Sequence, residues 1–366
     1  MIRITRMAVL AVVLVGLLAQ GQNQAFTSKK NRAMLESMAR SLEVKAQAKE
    51  PSWARRQDTP VLTVAWLTDT HIGVSKGALE RTRVLLNQLR DELRPDLTLM
   101  TGDNNAQSAG LPAAYGNLPA SQRNHLWLKQ FLDTELARPY AVIPGDNWPW
   151  DFEQVFGSPT RSFSCRGFHF LLTATDAKAI GNDACAVLFD DTKRWLRKDL
   201  ARHASQPCLV VMHETVFPPL FLDADWLANL VASTPQALAL LSGHLHYDLD
   251  ITRNGCRNIL APAVGPSTPP AFKLLRCYPD LIVILTYEWD GAQFRQARKW
   301  QRLAIPENLR AAVIAAAGRP AVPEDLRTMP VRPKQRDQEL LKRAPEIDQR
   351  LMTFFLQFGA SKLLLP

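Results

Sequence analysis

The 366-residue chain has no internal repeat, no low-complexity segment and no apolar run near the ~20 residues that a membrane-spanning helix needs. Those absences argue against solenoids, propellers and multispan membrane folds. There is also no dense basic stripe with interleaved aromatics. The net charge of +9 is therefore not a nucleic-acid footprint, and no nucleic-acid partner is expected; spread along the chain, it suits anionic substrates or cell-envelope surfaces. Cysteine is scarce, with five residues, and none falls in the motifs described below, which argues against a thiolate metal site. What the chain does have is 46% hydrophobic residues, enough to bury a large core. A single two-sheet domain of roughly 200–250 residues fits that supply.

Histidine is almost as scarce, at seven, yet four of the seven sit at the ends of apolar runs. Val61 to Leu67 is short, β-branched and apolar, reads as a buried strand, and ends in Asp69-Thr70-His71. Leu97 to Met100 ends in Thr101-Gly102-Asp103-Asn104-Asn105, and Tyr140 to Ile143 in Pro144-Gly145-Asp146-Asn147-Trp148. Cys208 to Met212 ends in His213-Glu214, and Leu238 to Leu241 in Gly243-His244-Leu245-His246. Five strands thus each deliver an oxygen or imidazole ligand at a carboxyl edge, where α/β sheets gather their ligands. Carboxylates and neutral imidazoles in this number suit a pair of cations roughly 3.5–4 Å apart, with open positions for water and substrate oxygen.

The runs Asp-x-His, Gly-Asp-Asn-Asn, Gly-Asp-Asn, His and Gly-His-x-His, in that order, resemble the motifs of the calcineurin-like metallophosphoesterases, from about Val61 to Leu303. The resemblance implies an α/β fold, a four-layer α/β/β/α sandwich. Carried over position by position, it implies one metal on Asp69, His71 and His246, and Asp103 bridging to a second on Asp146, His213 and His244. Two divalent or transition-metal ions (Mn, Fe, Zn or Mg) are the implied cofactors. The implied reaction is hydrolysis of a phosphate mono- or diester by a metal-bridging hydroxide, attacking phosphorus in line. A purple acid phosphatase is disfavoured, because no tyrosine lies beside Asp103 to ligate iron; the nearest, Tyr115, is too far along the loop.

One motif departs from the pattern. Where the family usually reads Gly-Asn-His-Asp, this chain reads Gly145-Asp146-Asn147-Trp148. Asp146 still offers an oxygen ligand and adds a negative charge. Asn147 can donate a hydrogen bond to a phosphate oxygen but cannot transfer a proton to a leaving alkoxide. The expected catalytic residues are Asp103 and Asn147, and the alternative is a metal- or phosphate-binding pseudoenzyme that lacks the general-acid histidine. His125 on an amphipathic helix and His169 in an apparent strand read as packed or surface histidines, and His203, near a charged helix end, as solvated. The aromatic run from Trp148 to Phe152 reads as core or loop packing, with a stacking wall for substrate as the alternative. The loop Gln107 to Ser121 has turn chemistry and is expected to border the cleft.

The flanks suggest compartment and partners. Arg3 and Arg6, the apolar Ala8 to Ala19, and small-residue sites near Gly21 and Ala25 resemble a secretory signal peptide over residues 1–25. Export to the periplasm or outside the cell is the expectation, with an uncleaved anchor as the alternative. Export permits disulfides. Cys165 and Cys185 flank one segment and Cys256 and Cys277 another, with connectivity left open, while Cys208 reads as a buried free thiol. Residues 26–60 read as a helical linker, 61–303 as the catalytic domain and 304–366 as a C-terminal helical extension. The extension is expected to dock on the catalytic domain; an oligomer or membrane-surface contact is the alternative. The expected substrate is a small or lipid-like phosphate ester.

Overall fold

The computed structural model describes residues 29–181, 185–321 and 324–362. The expected signal peptide lies outside them. Two sheets face each other. The first has six strands in the order β14-β13-β12-β1-β2-β3: β1 (Leu62–Leu67), β2 (Leu97–Thr101), β3 (Tyr140–Ile143), β12 (Ala271–Cys277), β13 (Leu281–Trp289) and β14 (Phe294–Ala304). The second has seven in the order β10-β11-β9-β8-β5-β4-β15. Its members are β4 (Arg161–Cys165), β5 (Phe168–Leu172), β8 (Cys208–Val211), β9 (Ala237–Ser242), β10 (Leu249–Arg253), β11 (Cys256–Leu260) and β15 (Glu324–Thr328). A small third sheet joins β6 (Ala177–Lys178), β7 (Ala186–Val187) and β16 (Gln335–Arg336).

The period-2 pattern of the strands builds the layers. In β1, Leu62, Val64 and Trp66 enter the core between the sheets with Phe163, Phe170, Leu209 and Ile259, while Ala65 and Leu67 face outward against helices. That outer face is covered by α2 (Ala78–Gln88) and α3 (Ala120–Phe131) through Leu85, Leu86 and Leu128. The outer face of the second sheet is covered by α4 (Asp190–Arg202) and α5 (Ala224–Ala232), joined there by α1 (Lys29–Leu42) and α7 (Ala344–Lys362). The result is the expected four-layer α/β/β/α sandwich. Burying Trp66 leaves no polar debt, because its indole N–H donates to Thr101 Oγ1 at 3.0 Å.

Each sheet has a parallel centre: β1, β2 and β3 in one, and β5, β8, β9 and β11 in the other. Their carboxyl ends open on the same side. The later apolar runs Ile259–Leu260 and Leu281–Tyr287 divide between the two sheets: β11 lies beside β9, and β13 between β12 and β14. Hydrophobicity assigns a run to a strand but does not say which sheet will accept it.

The segment after β14 is only partly helical, contrary to expectation. Besides α6 (Glu307–Ala316) and α7 it contributes β15, which pairs with β4, and β16, which pairs with β6. The unpaired edges of β4 and β6 offered hydrogen-bonding partners that a helix could not use. All five cysteines are buried and none forms a disulfide, so the pairings left open from sequence are not made. Among the described residues, no helix is long and apolar enough to cross a membrane.

Candidate metal centre

The carboxyl ends of β1, β2 and β3 carry the aspartates and His71, and those of β8 and β9 carry the other three histidines. Asp69, His71, Asp103, His244 and His246 all have positive φ, between 46° and 69°. Left-handed backbone is sparsely populated by non-glycine residues, though Asp and His tolerate it better than most, and it clusters where function needs a sharp turn. Here it turns each side chain out of its strand and into the crevice between the sheets. The turns lock together: Asp69 N–H donates to Gly102 O, His71 N–H to Asp103 O and Gly243 N–H to His213 O, each at 3.0 Å. Gly145 has to lack a side chain, because a Cβ there would overlap Asp103 Oδ1.

Seven side chains expected as ligands converge. His246 Nε2 lies 3.1 Å from Asp69 Oδ1 and 3.3 Å from His71 Nε2. On the other side, Asp146 Oδ1 lies 3.0 Å from both His213 Nε2 and His244 Nδ1. Asp103 Oδ2 sits between the trios, 3.8 Å from His71 Nε2 and 3.5 Å from His213 Nε2. Metal bonds of about 2.0–2.2 Å hold neighbouring donors roughly 3.0–3.5 Å apart, so both trios fit a shared ion.

Outer contacts fix which atoms face inward. His213 Nδ1 lies 2.8 Å from Thr101 O, a bond that requires the N–H there and leaves Nε2 as the free donor. Asp69 Oδ2 accepts from Thr68 Oγ1 at 2.6 Å and His244 N–H at 2.9 Å, which leaves Oδ1 for the crevice. Asn147 fastens Asp103, donating from its backbone N–H to Oδ1 at 2.8 Å and from Nδ2 to Oδ2 at 2.6 Å. Trp148 meets the His71 ring edge-on, with centroids 5.5 Å apart.

The charges are strongly coupled. Burial raises the carboxyl of Asp69, but the histidines, His213 and His246 foremost, outweigh it and hold Asp69 well below the usual range. Asp146 is likewise held low by His244 and His213 against the cost of burial. Asp103 is raised, by burial and then by the charge of Asp146. Burial lowers His213, yet Asp103 and Asp69 push it well above the usual imidazole range. A cation bound here would compete with protons for these imidazoles.

A cavity of about 810 Å³ opens over His71, Asp103, Asp146, Asn147, His244 and His246. Its farther walls come from Leu35, Arg40 and Glu43 at α1, from Pro262 and Pro266–Pro269, and from Tyr247 and Lys299. None of residues 107–121 lines this cavity, contrary to expectation. His125 is buried against Trp150 O at 2.9 Å, and burial drops its pKa to about 4, so it stays neutral and packs. His169 is held by Asp199 at 2.7 Å. His203 is not solvated as expected: the end of α4 turns it inward to stack on His169, with centroids 3.7 Å apart. The aromatic run after Asn147 separates, with Trp148 at the site, Trp150 under Arg336 and Phe152 in the core. Two buried lysines behind Asp146, Lys178 and Lys334, had no signal in the sequence, since each is a lone lysine in a segment without periodicity.

Comparison with known proteins agrees with this geometry. Over 254 residues, 60% of this chain and 89% of the relative, the sequence is 24% identical to a 3',5'-cyclic-nucleotide phosphodiesterase of Nostoc sp.. A dimetal phosphatase from Danio rerio has a similar fold, with a TM-score of 0.52 and 15% identity over 68% of this chain and all of that one. The calcineurin-like phosphoesterase family model matches residues 62–248, which span all seven converging side chains, and the chain belongs to that family.

Proposed function

We propose that the chain is an exported, metal-dependent phosphoric ester hydrolase acting on small or lipid-like phosphate mono- or diesters. The observation that carries the reading is the pair of Asp/His trios joined by Asp103 at the floor of a cavity large enough for a nucleotide-sized ester. In this reading Asp69, His71 and His246 would hold one ion, Asp146, His213 and His244 the other, and Asp103 would bridge. Bound there, the ions would supply Lewis acidity and a hydroxide-like nucleophile near neutral pH.

The remaining work falls to the chain itself. Asn147 keeps Asp103 in one rotamer through two donated hydrogen bonds, so its role in this reading is orientation. An amide has no proton to give a departing alkoxide, and general acids normally contribute roughly 10²–10⁴-fold. Esters with good leaving groups are therefore favoured. Cyclic nucleotides are the first diesters to try, because the Nostoc relative is named for them.

The test is hydrolysis of aryl mono- and diesters and of 3',5'-cyclic nucleotides by the protein loaded with Mn, Fe, Zn or Mg, beside Asp103→Ala. Turnover that depends on metal and disappears in the variant supports the proposal. Stoichiometric metal without turnover favours the second reading, a binding pseudoenzyme, for which Asn147 in place of the acid histidine is the specific support. Export rests on residues 1–25 and is tested by cell fractionation and the N-terminus of the mature protein.

A further inference from the structure

Asp69, Asp103, Asp146 and Glu214 bury four carboxylates around one crevice, each no more than 2% exposed. Repulsion among them is expensive in a medium that screens poorly. Two ammonium groups reach the same place from behind. Lys178 Nζ donates to the backbone carbonyl of Asp146. Lys334 Nζ donates to that of Gly145 at 3.4 Å and forms a long ion pair, 4.0 Å, with Glu214. Among the described residues, Glu214 Oε2 is itself buried without a hydrogen-bond donor. Neither lysine lines the cavity, so neither can touch a substrate in it.

Both lysines belong to one small device. Strand β16 pairs in parallel with β6, matching Gln335 with Ala177 and Arg336 with Lys178. The pairing is extended by Gln335 N–H to Asp176 O at 3.0 Å and Asp337 N–H to Lys178 O at 3.2 Å. Two residues past Lys334, the Arg336 guanidinium lies 4.3 Å over the Trp150 ring. The C-terminal segment thus grips the 145–150 loop at both ends, by Lys334 at Gly145 and by Arg336 at Trp150. Burying ammonium groups on backbone carbonyls is costly, and a fold would not retain two of them at one turn without a local negative charge to oppose.

We infer that Lys178 and Lys334 are positioning residues, a counter-charge strapped onto the Gly145–Asp146 turn by β16 that offsets the carboxylate of Asp146. The inference rests on the reading of Asp146 as a metal ligand. It makes the C-terminal segment part of the metal centre's electrostatics, although that segment supplies none of the seven converging side chains.

The experiment is a double-mutant cycle on the full chain, with Lys334→Met, Asp146→Asn and the pair, read by melting temperature in chelator and by Mn²⁺ titration calorimetry. With Asp146 present, Lys334→Met should lower the melting temperature by about 4 °C and tighten Mn²⁺ binding by about threefold, because one opposing charge is gone. In the Asp146→Asn background both effects should shrink to less than half. Equal losses in both backgrounds would mean that Lys334 acts through Glu214 or by packing rather than on Asp146, and would overturn the inference. Lys334→Arg, which keeps the charge, should restore most of the stability if charge is what matters; if Lys334→Met fails to fold, Lys334→Gln takes its place in the cycle. Failure of the underlying reading looks different: Asp146→Ala, which removes the ligand atom altogether, would then leave Mn²⁺ binding unchanged.

Discussion

At the scale of single residues, the departure at 146 and 147 decides the chemistry. An amide at 147 is held by Asp103 and cannot titrate. Removing it in Asn147→Ala should keep both metals bound and lower kcat/KM about tenfold, the value of one hydrogen bond to a charged group. Stopped assays on an aryl diester, with metal content by mass spectrometry, would check this. Asn147→His should raise turnover on alkyl esters by about tenfold or more while aryl esters change little, since only poor leaving groups need the proton. A uniform fall on both substrates would show that the grip on Asp103 outweighs acid catalysis.

At the scale of elements, two polar contacts hold the walls of the cleft. Lys273, fully buried in β12, donates to Asp248 Oδ1 at 2.6 Å, and Thr286 donates to Asp248 Oδ2 at 2.7 Å, two residues beyond His246. Lys273→Met leaves a buried carboxylate without its partner and should cost about 3–5 kcal/mol in denaturant unfolding. On the far side, Asn31 of α1 donates to Asp348 of α7 at 3.1 Å, and burial lifts the Asp348 carboxyl to about 6. A carboxyl whose folded pKa is raised adds stability below its unfolded pKa and loses it as pH rises through about 6. Asp348→Asn should therefore raise the melting temperature at pH 7.5 and raise it clearly less at pH 4.5, which lies between the unfolded and folded values. The gain is about 0.5 kcal/mol once solvent screening of this half-exposed group is allowed for.

At the scale of the whole molecule, the metal-free centre stands on histidine–carboxylate pairs, and the sign of its pH dependence follows. His71, His213 and His244 have raised folded values, so their contribution is lost as pH climbs through those values; Asp69 and Asp146 have lowered values, so theirs is lost in acid. Cations take over where protons leave. The rise in melting temperature on adding Mn²⁺ to chelated protein should be larger at pH 8 than at pH 6, and a reversed order would argue against imidazole ligation. The ligand residue types, their order along the chain and the strands that carry them were legible in the sequence, because a buried strand and its abrupt polar end are local properties of the chain. The same holds for the stretch Leu79 to Leu93, whose apolar residues recur at helical spacing before Pro95 and which forms Ala78–Gln88 with a wider turn to Leu93. What only the tertiary structure decided is non-local: which sheet receives β11 and β13, the inward turn of His203, the pairing of β15 and β16 with distant edges, and the arrival of Lys178 and Lys334 behind Asp146. Strand edges accept partners by hydrogen bonding that is nearly blind to side chain, and buried charges choose partners by distance, and neither leaves a periodic trace in the sequence.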